Sequence, residues 1–584
     1  MSFDSAGNFR NAEILAVTGK NTRAGFGRTI DVALCGGLAF VLSVVLSWIL
    51  QPVPTLHDEF SYLLAGDTFA SGRMANEPHP CWRHFESMHI LQQPRYASKY
   101  PPMQGLFLAV GQLVTGRPLA GVWFSTALAA AAICWMLQGW LPRRWALLGG
   151  LVAVFHGGLQ LTWGQSYMGG APAVIGSALL YGALPRWQRN PSWGSGVAAA
   201  AGLAILANSR PFEGLLVSLP IVVVVANDLA RQMRRDRSKH GMTALIPGVC
   251  VLVLTAAAML LYNRQVTGSC LQLPYSLHSR QYMSGPLFVW QSPPSTLPEY
   301  HNAVMKEFHS GWELDAYAAQ RTMMGFLRVK STYFSDAMFV LLNPLTLIAV
   351  MLGIWVWWKS GQTSFNVIMV TLPLLILGAS SAVWVFPHYL APGLPLLLIL
   401  AIYGMRSARI YFRQTRRDHD RILKALAGAY LLLFAAQCVW HIKSVDHPWS
   451  MERERIITDL EQQPGKDLIV VQYAPQHSPH EEWVYNGANI DDASVVWARD
   501  LGAGENSRLI RYFRDRKIWT LAADSVPAKL VPVDAAGITQ TATGSPAEFH
   551  AIMSDTTQFF RRAEQSPLPD STPSRSRDMQ GTVD

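Results

Sequence analysis

The chain has 584 residues, of which 50% are hydrophobic, 15% are charged and 20 are tryptophan. That balance excludes an ordinary soluble globule of this length. The formal net charge of +9 sits largely in connections between apolar runs, so it is a signal of membrane orientation and not the footprint of a nucleic-acid partner. A membrane span needs about 20 mostly apolar residues, and such runs lie at 31–50, 119–138, 145–162, 168–184, 194–208, 212–227, 243–262, 336–358, 364–384, 388–404 and 423–441. The fold class read from them is an α-helical polytopic membrane protein of about eleven transmembrane helices, carrying a small C-terminal α/β soluble domain.

Residues 1–30 read as a cytoplasmic N-terminal tail and 31–441 as the transmembrane domain. The first run reads as a retained span, since it is long, lies about thirty residues in and lacks a small-residue cleavage site. With Lys20, Arg23 and Arg28 inside, alternation leaves LPRRW, PRWQRNPSW, NDLARQMRRDRSKHG, WWKSGQ and MRSARIYFRQTRRDHDR inside as well, and every one is basic. The opposite face then receives 51–118, 163–167, 209–211, 263–335, 385–387 and everything after 441. MQGLFLAVGQLV, 103–114, is apolar but too short to cross, and reads as a helix lying on the membrane.

The first external loop opens with HDEFSYLLAGDTFASGRM, 57–74, placing His57, Asp58 and Glu59 directly after an apolar run. One reading is helix capping, since a helix N-terminus favours negative charge. The other is a carboxylate held at the membrane surface as a base. The loop continues through HFESMHILQQPRYASKYPPMQG, where Lys99 and Tyr100 precede Pro101 and Pro102, which stiffen the approach to the next helix. Ordered loops of this length are uncommon unless they work.

An acidic pair just after the first span, FSYLLAGDTFASGR behind it and a (K/Y)PP motif opening an apolar helix resemble the GT-C superfamily of polytopic glycosyltransferases, in the branch of protein O-mannosyltransferases and lipid A aminoarabinose transferase. The likeness covers the layout of about the first 440 residues, with its sharp motifs confined to 57–105. It implies an enzyme that moves a sugar from a polyprenyl-phosphate donor to a hydroxyl of a glycan, lipid or protein acceptor on the non-cytoplasmic side, with inversion. Asp58 matches the family's catalytic acid and Glu59 is its adjacent partner. Members of this branch often carry a second acid in the next external loop, but LTWGQSYMGGAPA, 161–173, has none. That puts a two-carboxylate mechanism in doubt, together with any divalent metal the pair would hold, and no CxxC or HExxH spacing offers a metal site elsewhere.

Candidate substrate-binding residues follow from the outer turns. His57, Lys99 and Tyr100 flank the acid. Arg210 and Glu213 in NSRPFEG are either phosphate partners or an ion pair tying the turn. His388 and Tyr389 in VFPHYLAP are either phosphate ligands or part of an aromatic belt. Arg95, like Lys99, has a simply solvated alternative. Gly169, Gly170 and Pro172 allow either close substrate approach or close packing of spans. The 263–335 segment reads as a lid over the cavity mouth or as an interfacial helix anchored by Trp and Tyr.

Cys35, Cys134, Cys250 and Cys438 fall within runs, whereas Cys81 and Cys270 both fall in external loops, leaving a disulfide between them open. After 441, helix MERERIITDLEQQ, strand DLIVVQY, strand SVVWARDLG, helix ENSRLIRYFRDR and strand KIWTLAAD describe an external α/β domain within 442–540. HSPHEEWVYN in it is rich in His and Glu but lacks ligand spacing. Residues 541–584 have the composition of a disordered tail. Two functions from different classes remain: the transferase, and a transporter or flippase of a lipid-linked glycan. A transporter should place ionisable groups at mid-membrane in repeated halves; here they cluster at one face. The expected location is an inner membrane, with the C-terminal domain periplasmic or extracellular, and membrane lipids but no nucleic acid as partners.

Overall fold

The computed structural model describes residues 22–234, 238–414, 419–444 and 448–532. Each apolar run is helical, but the runs divide into three kinds. Among the described residues, seven helices are long and apolar enough to cross a membrane: Phe26–Leu50, Leu119–Trp140, Pro211–Arg234, Gly241–Thr267, Thr363–Ser381, Ala391–Phe412 and Lys424–Lys443. The chain is an integral membrane protein. The run at 336–358 is two helices, Met323–Leu341 and Pro344–Ser360, bent by 99°. Asn343 accepts the Thr346 amide at 2.9 Å and Pro344 occupies the first turn, so the second helix starts afresh at that point.

Three further runs are shorter or less apolar than a free-standing span. Arg143–Val154 has 12 residues and Trp193–Ala207 has 15. Gly170–Arg189 has 20 but is buried along nearly its whole length. A helix enclosed by other helices is selected for small residues that let backbones approach, so its sequence is rich in Gly, Ala and Ser and not in long apolar side chains. The short Met103–Thr115 helix stands as expected at 13 residues, about 20 Å long.

Close glycine contacts hold the end of the bundle that carries His57–Ala70. A Cβ on Gly111 would lie 2.1 Å from the Gly121 nitrogen, so Met103–Thr115 and Leu119–Trp140 cross backbone to backbone. A Cβ on Gly105 would meet Ala65 at 2.7 Å, which seats the same short helix against His57–Ala70. Between them a small antiparallel hairpin, β1 (Ile90–Leu91) with β2 (Ala97–Ser98), returns the chain from His89 to Lys99.

The C-terminal sheet has the order β4–β3–β5–β6, with β3 (Asp467–Gln472), β4 (Val495–Arg499) and β5 (Lys517–Ala522) parallel and β6 (Lys529–Pro532) antiparallel at the edge. The central strands are buried hydrophobic runs, as a covered parallel sheet requires. This sheet docks on the first loop. Phe60 stacks on Tyr485 with centroids 4.0 Å apart, and Phe60, Leu64 and Phe85 share a core with Leu468, Val470 and Val496. Cys81 is buried in that core while Cys270 is exposed, and both are free thiols, so the disulfide left open between them is not formed.

Candidate active site

The helix His57–Ala70 orients the acidic pair in two directions. Glu59 turns back on its own N-terminus: its carboxylate accepts from the amides of Thr55 (2.8 Å), Leu56 (3.1 Å) and, from the loop at 163–167, Tyr167 (2.9 Å). It is 2% exposed, and burial raises its pKa while those amides oppose the shift. Glu59 is therefore a clamp between two loops, and the capping alternative describes it.

Asp58, about 100° around the helix from Glu59, faces Tyr100 and His89. Tyr100 donates its hydroxyl to Asp58 Oδ1, and His89 Nε2 lies 3.8 Å from Oδ2. The Asp58 side chain keeps 27% exposure. Burial, then the Asp58 charge, pushes the Tyr100 phenol well above its ordinary pKa, so it remains a donor. Tyr62 stacks on Tyr100 at 4.7 Å.

Two buried cations flank this acid. Lys99 is 3% exposed, forms no salt bridge among the described residues, and rests over the rings of Tyr275 (4.8 Å) and Tyr100 (5.2 Å). Burial lowers its pKa to about 8, against the opposing pull of Asp58 and Glu313. Arg210, 8% exposed, lies over Tyr389 at 4.6 Å, and its Nε has no hydrogen-bond partner. The ion pair with Glu213 that would tie the turn is not formed within salt-bridge distance. Tyr62 and Tyr389 each feel both Asp58 and Arg210. His388 stacks on Phe386 at 5.7 Å and is kept neutral by burial and then by Arg210. Arg95 instead pairs with exposed Glu77 at the surface. Gly170 packs on the Trp163 ring, where a Cβ would come within 2.4 Å, so it is close-packed and not a substrate rest.

His57 hydrogen-bonds Tyr485 of the C-terminal domain through Nδ1 at 2.7 Å. Its ring also lies 5.1 Å from Phe308 and 5.9 Å from His480. Burial, followed by neighbouring His480, His309 and Lys99, holds its pKa well below normal. His89 adopts φ 66°, a left-handed conformation uncommon outside glycine, and its carbonyl accepts from Ser61 Oγ (2.7 Å) and the Lys99 amide (3.2 Å). Sequence reasoning named the His-dense loop but not His89, His278, His309, Tyr275 or Tyr485 individually. The signals present were LPYSLHSRQY, the His309 to Glu313 spacing on one helix face, and HSPHEEWVYN. The last of these lines the site with His480 and Tyr485 and is not a metal-binding cluster. Among the described residues, no group of three or more His, Cys, Asp or Glu is arranged to hold a metal ion.

No protein-family model matches the chain, and no curated protein matches it by sequence. Solved structures do. ArnT from Cupriavidus metallidurans bound to undecaprenyl phosphate superposes with a TM-score of 0.50 at 14% identity, covering 84% of this chain and 92% of that one. The chain has the GT-C fold. The apo state of the same ArnT gives 0.46 at 13% identity over 86% and 93%. Archaeal oligosaccharyltransferase AglB from Archaeoglobus fulgidus, in complex with an inhibitory peptide and a dolichol-phosphate, gives 0.44 at 10% identity over 86% and 70%.

Proposed function

We propose that this protein is an inverting glycosyltransferase that moves a sugar from a polyprenyl-phosphate donor to a hydroxyl acceptor on the non-cytoplasmic side of the membrane, with Asp58 as general base. The observation that carries this reading is a partly exposed carboxylate near two buried cations, Lys99 and Arg210, which feel Asp58, Glu313 and Glu213 but, among the described residues, close no salt bridge with any of them. Buried cations that close no direct ion pair remain incompletely compensated, and an anionic ligand reduces that cost. The ArnT structure of the same fold was solved with undecaprenyl phosphate, which supplies such an anion.

The chemistry follows from the groups. Asp58, steered by the Tyr100 hydroxyl, takes the proton of the acceptor hydroxyl as its oxygen attacks the anomeric carbon. The bond from that carbon to the phosphate oxygen breaks, and the electron pair leaves with the lipid phosphate, whose charge Lys99 and Arg210 are placed to hold. Attack from the face opposite the leaving group inverts the centre. A divalent metal has no evident ligand set here, and no step is assigned to one.

The test is transfer of radiolabelled sugar by the purified full chain. Asp58→Asn is expected to lose about 10² to 10⁴ in rate while still binding the lipid. If the native protein transfers nothing from a broad donor and acceptor panel but translocates lipid-linked glycan in vesicles, the transporter function takes its place.

A further inference from the structure

A chain of imidazoles lies beside the proposed reaction centre and takes no part in the chemistry just described. His57, His89, His278 and His309 follow one another with ring centroids 5.8 Å, 6.1 Å and 5.9 Å apart. They come from two separate external segments, 51–118 and 263–335. His89 Nδ1, both nitrogens of His278 and Nε2 of His309 are fully buried and have no hydrogen-bond partner. Buried polar nitrogens without partners are rare and call for an explanation. One side chain stands among them. The Phe308 ring packs edge-on against His57 (5.1 Å), His89 (5.6 Å) and His309 (5.0 Å), and is 2% exposed.

Phe308 sits on a π-helical turn, Glu307–Trp312, inserted between two short α-helical pieces, Ala303–Lys306 and Glu313–Ala318. Such turns concentrate at functional sites. A π-helical turn holds one residue more than the α-helical turn, so converting one to the other would shift the register of the side chains that follow.

The polarity of the pocket selects its ligand. His89 and His278 are neutral, held so by burial and then by Lys99, and a neutral imidazole offers one donor and one acceptor. A phosphate accepts only. A sugar hydroxyl does both. Lys99 alongside disfavours a cationic aminosugar, and the Glu313 carboxylate is already engaged by His309 Nδ1 at 2.9 Å. Trp312 and Trp384, stacked at 5.9 Å, continue the wall with an aromatic face of the kind on which pyranose rings rest.

We propose that His89, His278 and His309 form a subsite for the hydroxyls of a neutral sugar, and that Phe308 occupies this subsite until the π-helical turn withdraws it. The inference rests on the glycosyltransferase reading, and it assigns no covalent step.

The experiment measures binding to the full-length protein in nanodiscs, with Trp fluorescence as readout. The probes are bare short-chain polyprenyl phosphate, the same lipid carrying mannose, glucose, galactose or arabinose, and the corresponding methyl glycosides. Native protein is expected to bind at least one sugar-bearing lipid, or one methyl glycoside in the presence of bare lipid, with at least tenfold selectivity within the set. The first outcome assigns the subsite to the donor sugar and the second to the acceptor. Phe308→Ala is expected to tighten that binding severalfold by removing the plug. His278→Phe should abolish the selectivity and leave affinity for bare polyprenyl phosphate unchanged, and His278→Asn should restore part of it. Selectivity that survives His278→Phe, looser binding in a folded Phe308→Ala, or no discrimination by native protein overturns the subsite. Failure to bind bare polyprenyl phosphate at all overturns the underlying function instead.

Discussion

At the scale of single residues, the acidic pair divides its labour because neighbours on a helix point in different directions. Glu59 satisfies three backbone amides from two loops, so Glu59→Ala leaves those buried donors unpaired. The expected cost is about 2 to 4 kcal/mol, read as a fall in unfolding temperature in detergent, with a smaller effect on transfer rate per folded molecule than Asp58→Asn. Lys99 makes a prediction about pH. Its pKa is lowered to about 8, and the groups facing it are Asp58 and Glu313, which favour its charge, with His57, His89, His278, Tyr100 and Tyr275 around it. The charge is therefore present below that pH and lost above it. Affinity for polyprenyl phosphate should fall about tenfold as pH rises from 7 to 9.5. Lys99→Met should show the weak affinity at every pH, and Lys99→Arg should hold its affinity across the range, since its guanidinium does not titrate there. An unchanged pH profile in Lys99→Met would remove this residue from phosphate binding.

At the scale of elements, the legible features were those written in local pattern. The apolar runs, the short Met103–Thr115 helix and β3, β4 and β5 all carry periodicity or length that needs no tertiary knowledge. The break at Asn343 was present as an Asn–Pro pair within an otherwise continuous apolar run, and its cap is what turns the chain by 99°. The edge strand β6 was not legible, because its mostly exposed residues carry no burial pattern. Of the site, Asp58 and Lys99 stood out through motif, whereas His278 and His309 become neighbours of His89 only once the distant 263–335 segment folds over the first loop. The C-terminal domain contains a further buried network of this kind: Arg499 and Glu482 are 2% and 0% exposed and form a salt bridge, with Tyr473 also donating to Glu482. Removing one partner strands the other charge, so Arg499→Met should destabilise that domain by about 3 to 5 kcal/mol. Arg499→Met with Glu482→Leu should recover much of the loss. Limited proteolysis of the domain, followed by site of cleavage, measures both.

At the scale of the whole molecule, the bundle and the sheet meet beside Asp58, so the C-terminal domain borders the candidate site. Its Tyr485 reaches His57 through a 2.7 Å hydrogen bond and lies flat on Phe60, two residues along the helix from Asp58. Arg453 braces the segment by donating to the Trp483 and Tyr485 carbonyls at 3.0 and 2.8 Å. If this docking sets the orientation of His57, loss of the ring contact must be felt in both partners together. Phe60→Leu and Tyr485→Leu should each lower stability, and the double variant should lose less than the sum. The expected coupling is about 0.5 to 1.5 kcal/mol from the ring pair alone. Tyr485→Phe keeps the stack and removes only the hydroxyl. It should cost about 1 to 3 kcal/mol through the stranded His57 nitrogen, and, on the proposed mechanism, raise KM for the glycosylated lipid more than it lowers kcat, because a loosened His57 weakens ground-state binding more than the chemistry at Asp58. A Tyr485→Phe enzyme with native KM would show that the sheet packs on the bundle without tuning the chamber.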